Sequence, residues 1–226
     1  MSNFNGFPKE LCTFFNQLKK HNTKEWFDSH REDYERYVKV PSIEFVVSMG
    51  DKLKEIAPGV NALPKINQSL FRLNRDMRFS NDKRPYKTNL GILFWEGERK
   101  RMECSGFYFH CEDENLMLGV GIYIFTKGLL DRYREAVVDA KLGSKLKKII
   151  ERLSKQGYVV GGKHYKKVPR GYDPSHKNFE LLLHNGLTAM IETRIPEEFY
   201  RTDLIDYAFS HFKNMAPLHG WFREAL

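Results

Sequence analysis

The stretch NLMLGVGIYIF, Asn115–Phe125, reads as a β-strand, and its reading sets the fold class. Leu116, Leu118, Val120, Ile122 and Ile124 occupy every second position and form the expected core face. Met117, Gly119, Gly121, Tyr123 and Phe125 share the other face. Two glycines on one face leave a shallow trough for a packed element or a ligand, and packing is the more usual reason. Working backward, Met102–Cys111 and Asn89–Trp95 read as further strands, joined by a hairpin turn at Glu96-Gly97-Glu98-Arg99. Ser69–Leu73 reads as a short strand before them.

Helices flank this β region on both sides. Leu11, Phe14, Phe15 and Leu18 fall at i, i+3, i+4 and i+7, which predicts a helix with Pro8 as its first residue. Asn22-Thr-Lys-Glu25 has the pattern of a capping box with Asn22 as cap. The helix it opens carries Trp26, Phe27, His30, Tyr34 and Tyr37. Pro41 is expected to end that helix and begin a third, with Val46, Met49, Leu53 and Ile56 on one face. Beyond the strands, helices are expected over 127–156 with a break near Gly143 and Ser144, and Gly157 as the stop. Tyr158–Val168 reads as a small hairpin across Gly161-Gly162, Asn178–Leu183 as a short helix and Leu187–Arg194 as a strand. A helix from Asp203 is broken or restarted at Pro217. Helices, then strands, then helices predict an α+β fold: a central, mainly antiparallel sheet flanked by N-terminal and C-terminal helices. No stretch between Asn5 and Leu226 reads as a linker, so a single domain over residues 1–226 is expected.

Composition narrows the class. The chain is 41% hydrophobic and 14% aromatic, enough for a sizeable core and too apolar for a disordered chain. No apolar run approaches the roughly 20 residues of a membrane span, and no secretory leader is visible at the N-terminus. Three cysteines suit neither a disulfide framework nor a metal site, which fits a reducing compartment. The expectation is a cytoplasmic protein with no membrane partner. There is no H-E-x-x-H, no phosphate-binding G-x-x-x-x-G-K-[ST], no G-x-G-x-x-G after a strand and no G-x-S-x-G. Nothing in the sequence designates a cofactor or a metal centre. Net charge is 37 − 29 = +8, which favours anionic partners.

Half of that excess lies in FRLNRDMRFSNDKRPYKT, Phe71–Thr88. Arg72, Arg75, Arg78, Lys83, Arg84 and Lys87 give six positive charges, and Asp76 and Asp82 remove two, leaving +4. Phe71, Leu73, Met77, Phe79, Pro85 and Tyr86 interrupt the charges as candidate anchors. A rigid loop can aim guanidinium groups, whose planar forks match phosphate or carboxylate. Convergence of Arg75, Arg78 and Lys83 would make an anion pocket, with Arg72, Tyr86 and Lys87 beside it. The plainer alternative is a brace, in which the two carboxylates are taken up by Arg partners. A second basic stretch, Lys163–Pro174, sets Lys163, Lys166, Lys167 and Arg170 among Tyr165 and Tyr172, a pattern able to hold a phosphate backbone and stack bases. An exposed basic hairpin is the plainer reading there. His176, just downstream, is a candidate acid or base.

Three functional readings stay open at this stage, and with them whether the protein is an enzyme. The first is binding of a phosphate-bearing ligand, nucleotide or nucleic acid, by the two basic loops. The second is a metal-dependent phosphoester hydrolase with Asp76 and Asp82 as ligands. The third is a non-catalytic scaffold whose ion-pair motif is structural.

Taken in register, Arg75-Asp76-x-Arg78-Phe79-Ser80-x-Asp82-Lys83-x-Pro85-Tyr86-Lys87 is a specific pattern. With it go Trp26-Phe27 after an Asn-containing turn, Gly119-Val-Gly-Ile-Tyr123, and Pro169-Arg170-Gly171-Tyr172-Asp173 with His176 downstream. Together these resemble the signature of domain of unknown function 2461, over most of the chain. Two departures stand out: Lys177 follows His176 where that family usually has Pro, and Phe125 stands where Pro often follows the glycine strand. The resemblance implies a widespread, mostly bacterial, intracellular protein and no known activity.

Overall fold

The computed structural model describes residues 4–78 and 80–226. Helix α1, Lys9–Lys20, starts after Pro8, which takes the cap position, and buries Leu11, Phe14, Phe15 and Leu18 as the periodicity predicts. α2 (Lys24–Ser29), α3 (Arg31–Asp33), a π-helical stretch over Tyr34–Lys39 and α4 (Val40–Leu53) follow in close succession. The cap of α2 is Thr23, whose hydroxyl accepts from the Trp26 N–H at 3.2 Å. Asn22, expected there, is engaged elsewhere. Pro41 does not end the helical run; it sits in the first turn of α4, where a missing N–H is tolerated.

Six strands follow the antiparallel order β1-β2-β3-β4-β6-β5. They are β1 (Val60–Asn61), β2 (Asn89–Glu96), β3 (Gly106–Glu112), β4 (Asn115–Ile122), β5 (Val159–Lys163) and β6 (His184–Arg194). The later helices are α5 (Lys127–Val138), α6 (Ala140–Lys155), α7 (Phe179–Leu182) and α8 (Leu204–Ala225). The fold is α+β, as read from the sequence.

Several boundaries differ, each for a local reason. The β2–β3 link is no tight hairpin: Gly97 at φ +130° and a 3₁₀ turn at Arg101–Glu103 delay β3 to Gly106. On β4, Leu116, Leu118, Val120 and Ile122 are each 1% exposed, but the strand ends there and Ile124 is 55% exposed. The trough at Gly121 is filled by backbone: a Cβ there would lie 2.2 Å from the Leu187 carbonyl oxygen, at a φ of +142°. The expected hairpin within 158–168 is instead a single strand. β5 pairs with β6, Val159 opposite Met190 and Gly161 opposite Thr188, with a bulge between Gly161 and Lys163. The helical break falls at Asp139, whose carboxylate caps α6 by accepting from Lys141 and Leu142 N–H at 2.9 and 2.7 Å. Gly143 lies inside α6, because any Cβ would meet the Val137 carbonyl at 2.1 Å. Pro217 lies within α8, which continues through it. Arg152 Nη2 donates to the nearby Asn214 carbonyl at 2.9 Å, supporting the turn that the proline weakens.

The chain packs as two compact units. The first comprises the chain through Phe94 with Tyr108–Met117 and Glu192–Ser210. Its core is aromatic: Phe7 stacks on Phe199 at 4.9 Å and Phe45 meets Phe109 at 4.6 Å. The second comprises Trp95–Phe107, Leu118–Ile191 and His211–Leu226. Tyr133, Leu146, Leu153, Phe212 and Trp221 are fully buried there, and the Trp221 indole donates to the Leu142 carbonyl at 2.9 Å.

The second unit also holds a buried polar chain. His219 Nε2 lies 2.8 Å from Glu96 Oε2, and its Nδ1 lies 3.0 Å from Ser105 Oγ. Arg223 completes the set, 3.0 Å from Glu96 Oε1. The pairing assigns the ring proton to Nε2, so Nδ1 accepts from the Ser105 hydroxyl. Ser105 is 3% exposed and His219 2% exposed, which leaves no approach for a substrate. This is a brace with the composition of a hydrolytic triad.

Burial holds the His219 pKa below its ordinary 6.5, against the pull of Glu96. The folded state therefore binds the proton less readily than the unfolded state, so stability is full above about pH 6.5 and falls as pH drops below it. His110, His184 and His211 shift in the same direction, each chiefly through burial. Replacing His219 by Ala strips Glu96 and Ser105 of a buried partner. Urea unfolding at neutral pH should record a loss of roughly 1–3 kcal/mol, with a shallower acid-side decline than in the parent protein.

Candidate functional site: the charged loop and strand β3

The charged loop belongs to the first unit and is built as a ladder. Phe71 N–H donates to the Gly91 carbonyl at 3.1 Å, and Leu93 N–H to the Ser69 carbonyl at 2.9 Å. The expected strand at Ser69–Leu73 is thus reduced to an isolated bridge, Leu70 opposite Ile92. The chain then pairs with itself: Arg75 N–H to Pro85 at 2.8 Å, Lys87 N–H to Leu73 at 2.9 Å, with Asn74 bridging Tyr86. Leu73 and Tyr86 are buried anchors, 8% and 7% exposed, and the Tyr86 ring lies 4.5 Å from that of Phe27. Asn22 clasps the backbone of Tyr86 on both sides, Nδ2 donating to its carbonyl and Oδ1 accepting its N–H, each at 3.0 Å. Met77, expected as an anchor, is 36% exposed rather than buried. Phe79 lies outside the described residues.

The two carboxylates are taken up by Arg. Asp82 Oδ2 accepts from Arg75 Nη1 at 2.5 Å and Arg84 Nη2 at 2.6 Å. Its Oδ1 accepts from the Arg84 backbone and Nε at 3.1 and 3.0 Å. Asp76 receives Arg78 Nε and Nη2 at 3.0 and 2.7 Å. The Arg84 guanidinium, then its backbone N–H and Arg75, hold the Asp82 carboxyl far below its usual range. Arg78 holds that of Asp76 at about 2. The predicted pocket of Arg75, Arg78 and Lys83 is therefore distributed: Arg75 and Arg78 serve different carboxylates, and Lys83 Nζ reaches the Met77 carbonyl at 3.4 Å. Lys87 Nζ sits 5.4 Å over the Phe71 ring. Arg72 is exposed. Among the described residues, neither Arg72 nor Lys83 forms an ion pair with a carboxylate.

Beside the loop, β3 presents a polar set that the sequence reading passed over. Tyr108, His110 and Glu112 alternate on one face of the strand. Tyr108 hydroxyl lies 3.1 Å from His110 Nδ1, with Asn89 Nδ2 at 3.4 Å. His110 Nε2 faces Glu112 at 3.6 Å, and Thr88 Oγ1 donates to Glu112 at 3.0 Å. Burial pushes Tyr108 up to about 12, and burial lowers His110 against the opposing pull of Glu112. Phe71 packs edge-on against Tyr108 at 5.9 Å, which brings the loop to this polar row. Gly91 leaves the space, since a Cβ there would lie 2.8 Å from the Tyr108 hydroxyl. The legible signal was the i, i+2, i+4 spacing of Tyr, His and Glu.

The second basic loop lies in the other unit. Lys163 is paired with Glu180. Lys166, Lys167 and Arg170 are exposed. Tyr165 donates to Asn185 Oδ1 at 3.3 Å, and Arg134 stacks on its ring at 5.2 Å. The Arg134 Nε is buried without a hydrogen-bond partner among the described residues. His176 serves the local turn, its Nδ1 accepting from Asn178 N–H at 3.1 Å. Asp173 caps the same turn through Ser175, at 2.8 Å to both its N–H and its hydroxyl.

An α+β chain with these two loops has a family counterpart. The protein belongs to the family of conserved hypothetical proteins DUF2461, whose model matches residues 10–221. No curated protein matches the sequence significantly. No helix among the described residues is long and apolar enough to cross a membrane.

The geometry separates two classes of loop cation. Arg75→Ala removes one of the two guanidinium groups on Asp82 and loosens the ladder, so its melting temperature should drop by a few degrees. Arg72→Ala touches no carboxylate and should leave the melting temperature unchanged. Differential scanning fluorimetry of the two variants measures the contrast.

Proposed function

We propose that the protein binds a phosphate-bearing ligand, a nucleotide or nucleic acid, through its two basic loops. The observation that carries this reading is the unspent charge of a rigid loop. Asp82 and Asp76 fix Arg75, Arg84 and Arg78 in place. Arg72 and Lys83 then stand on a backbone held by cross-ladder bonds and the Asn22 clasp. A cation on a held backbone loses less chain entropy on meeting a phosphate than one on a mobile loop. Lys166, Lys167 and Arg170 supply the corresponding charges on the second loop, next to the stacked Arg134 and Tyr165. The hydrolase reading needs Asp76 and Asp82 to face a metal ion, and their oxygens face guanidinium groups instead.

The test is fluorescence anisotropy with labelled single-stranded DNA, RNA and nucleotides across a salt series. Binding should weaken steadily as salt rises. Arg72→Ala and Lys83→Ala should each lower the salt slope by about one phosphate contact while the fold stays intact. Absence of binding at low salt overturns the proposal. Mn²⁺-dependent cleavage abolished by Asp82→Asn would establish the hydrolase in its place.

A further inference from the structure

The hydroxyl–histidine–carboxylate row on β3 differs in two respects from the sealed one around His219. It is open: the side chains of His110 and Glu112 are 22% and 43% exposed, against 2% and 6% for His219 and Glu96. It is also unclosed. His219 bonds Glu96 at 2.8 Å, whereas His110 Nε2 stands 3.6 Å from Glu112 Oε2, beyond hydrogen-bond reach. The two groups lie side by side without satisfying each other.

Their neighbours settle which one donates. Asn89 Nδ2, which can only donate, faces His110 Nδ1 at 3.4 Å, and the Tyr108 hydroxyl reaches the same nitrogen at 3.1 Å. Nδ1 is therefore the acceptor, and the neutral ring carries its proton on Nε2, on the side of Glu112. Burial, which lowers the His110 pKa, favours that neutral form. Glu112 is held through its other oxygen, Oε1, by the Thr88 hydroxyl at 3.0 Å. Lys87 immediately precedes Thr88, and its ammonium lies 5.4 Å over the Phe71 ring. That ring in turn meets Tyr108 edge-on at 5.9 Å. One short stretch of the first unit thus brings a cation, an aromatic ring and an adjacent donor and acceptor together.

We propose that His110 and Glu112 bind the ribose 2′-hydroxyl of the phosphate-bearing ligand, which makes that ligand RNA or a ribonucleotide rather than DNA. This sugar recognition rests on the phosphate binding proposed for the charged loop. A hydroxyl oxygen is acceptor and donor at one atom, and the two complementary groups stand next to each other. The 2′-hydroxyl accepts from His110 Nε2–H and donates to Glu112 Oε2, while Lys87 supplies the cation for the neighbouring phosphate. A deoxyribose leaves both protein groups without a partner. A 2′-O-methyl ribose keeps an acceptor for His110 but sets an ether oxygen, which cannot donate, against the carboxylate.

The test is fluorescence anisotropy of the full-length protein with labelled oligo(A), oligo(dA) and 2′-O-methyl oligo(A) of equal length, at one low salt concentration. Bases and phosphates are the same in all three, so the sugar is the difference. Oligo(A) should bind about tenfold tighter than either of the others, as expected for a hydrogen bond to a charged group. In Glu112→Ala the ratio of oligo(A) to oligo(dA) affinity should fall close to one. The ratio is the readout because removing a carboxylate also strengthens the attraction of every phosphate. Unlabelled AMP and dAMP then separate the two sources of ribose. Displacement of the label by AMP ahead of dAMP assigns the site to free ribonucleotides, and displacement by oligo(A) alone assigns it to RNA. Equal affinity of the parent protein for oligo(A) and oligo(dA), or a preference that survives in Glu112→Ala, overturns the sugar recognition and leaves phosphate binding standing. Failure to bind any of the three overturns both. The parent protein alone reads the first and last of these outcomes, so misfolding of the variant does not shield the proposal.

Discussion

A side-chain amide standing in for a strand holds the candidate site in place. Asn22 gives and takes one hydrogen bond with the backbone of Tyr86, across a sequence gap of 64 residues. Phe27 packs on the Tyr86 ring from the same helical segment. Without this clasp the C-terminal arm, which runs directly into β2, would be held to the N-terminal helical region by the Phe27 contact alone. With it, both arms of the ladder have fixed ends, and the Asp82 clamp joins them near the tip. The order of dependence runs from Asn22 to Tyr86, then to the ladder, then to the directions of the Arg side chains.

This hierarchy recasts the motif. Its aspartates are acceptors for Arg first, and the cations that these pairs do not use include Arg72 and Lys83. Arg78–Asp76 is largely exposed and Arg75–Asp82 only part-buried, so the outer pairs define geometry more than they stabilise. An ion-paired brace and the proposed binding surface are therefore compatible within one loop. The same division appears in the other unit, where Lys163 and Asp173 shape the second loop while Arg170 stays exposed.

Much of the fold was legible because its helices carry clean apolar stripes. α1 buries Leu11, Phe14, Phe15 and Leu18 as their spacing requires, and of the stripe Leu146, Ile149, Ile150 and Leu153 α6 buries all but Ile150, which is half-buried. Boundaries were less legible because they depend on partners distant in sequence. Pro217 looked like a break, yet Arg152 supports its turn. Gly143 looked like a hinge, yet it is the close approach of Val137 that demands a glycine. Asn22 matched a cap, and its neighbour Thr23 took that place, freeing the amide for Tyr86. In the site, composition identified the charged loop but not the direction of any guanidinium. Tyr108, His110 and Glu112 went unremarked because they interleave with buried Phe107, Phe109 and Cys111, so that strand reads as core.

The borders of the sheet carry a separate consequence. Its outer strands are β1, of two residues, and β5, of five, with a bulge and two glycines in VVGGK. One border is too short to template a visiting strand, and the other is kinked away from the straight register that lateral pairing needs. The longer strands β2, β3, β4 and β6 are all interior. A sheet so arranged resists edge-to-edge self-association, so the exposed Val159 does not become a seed for fibrils.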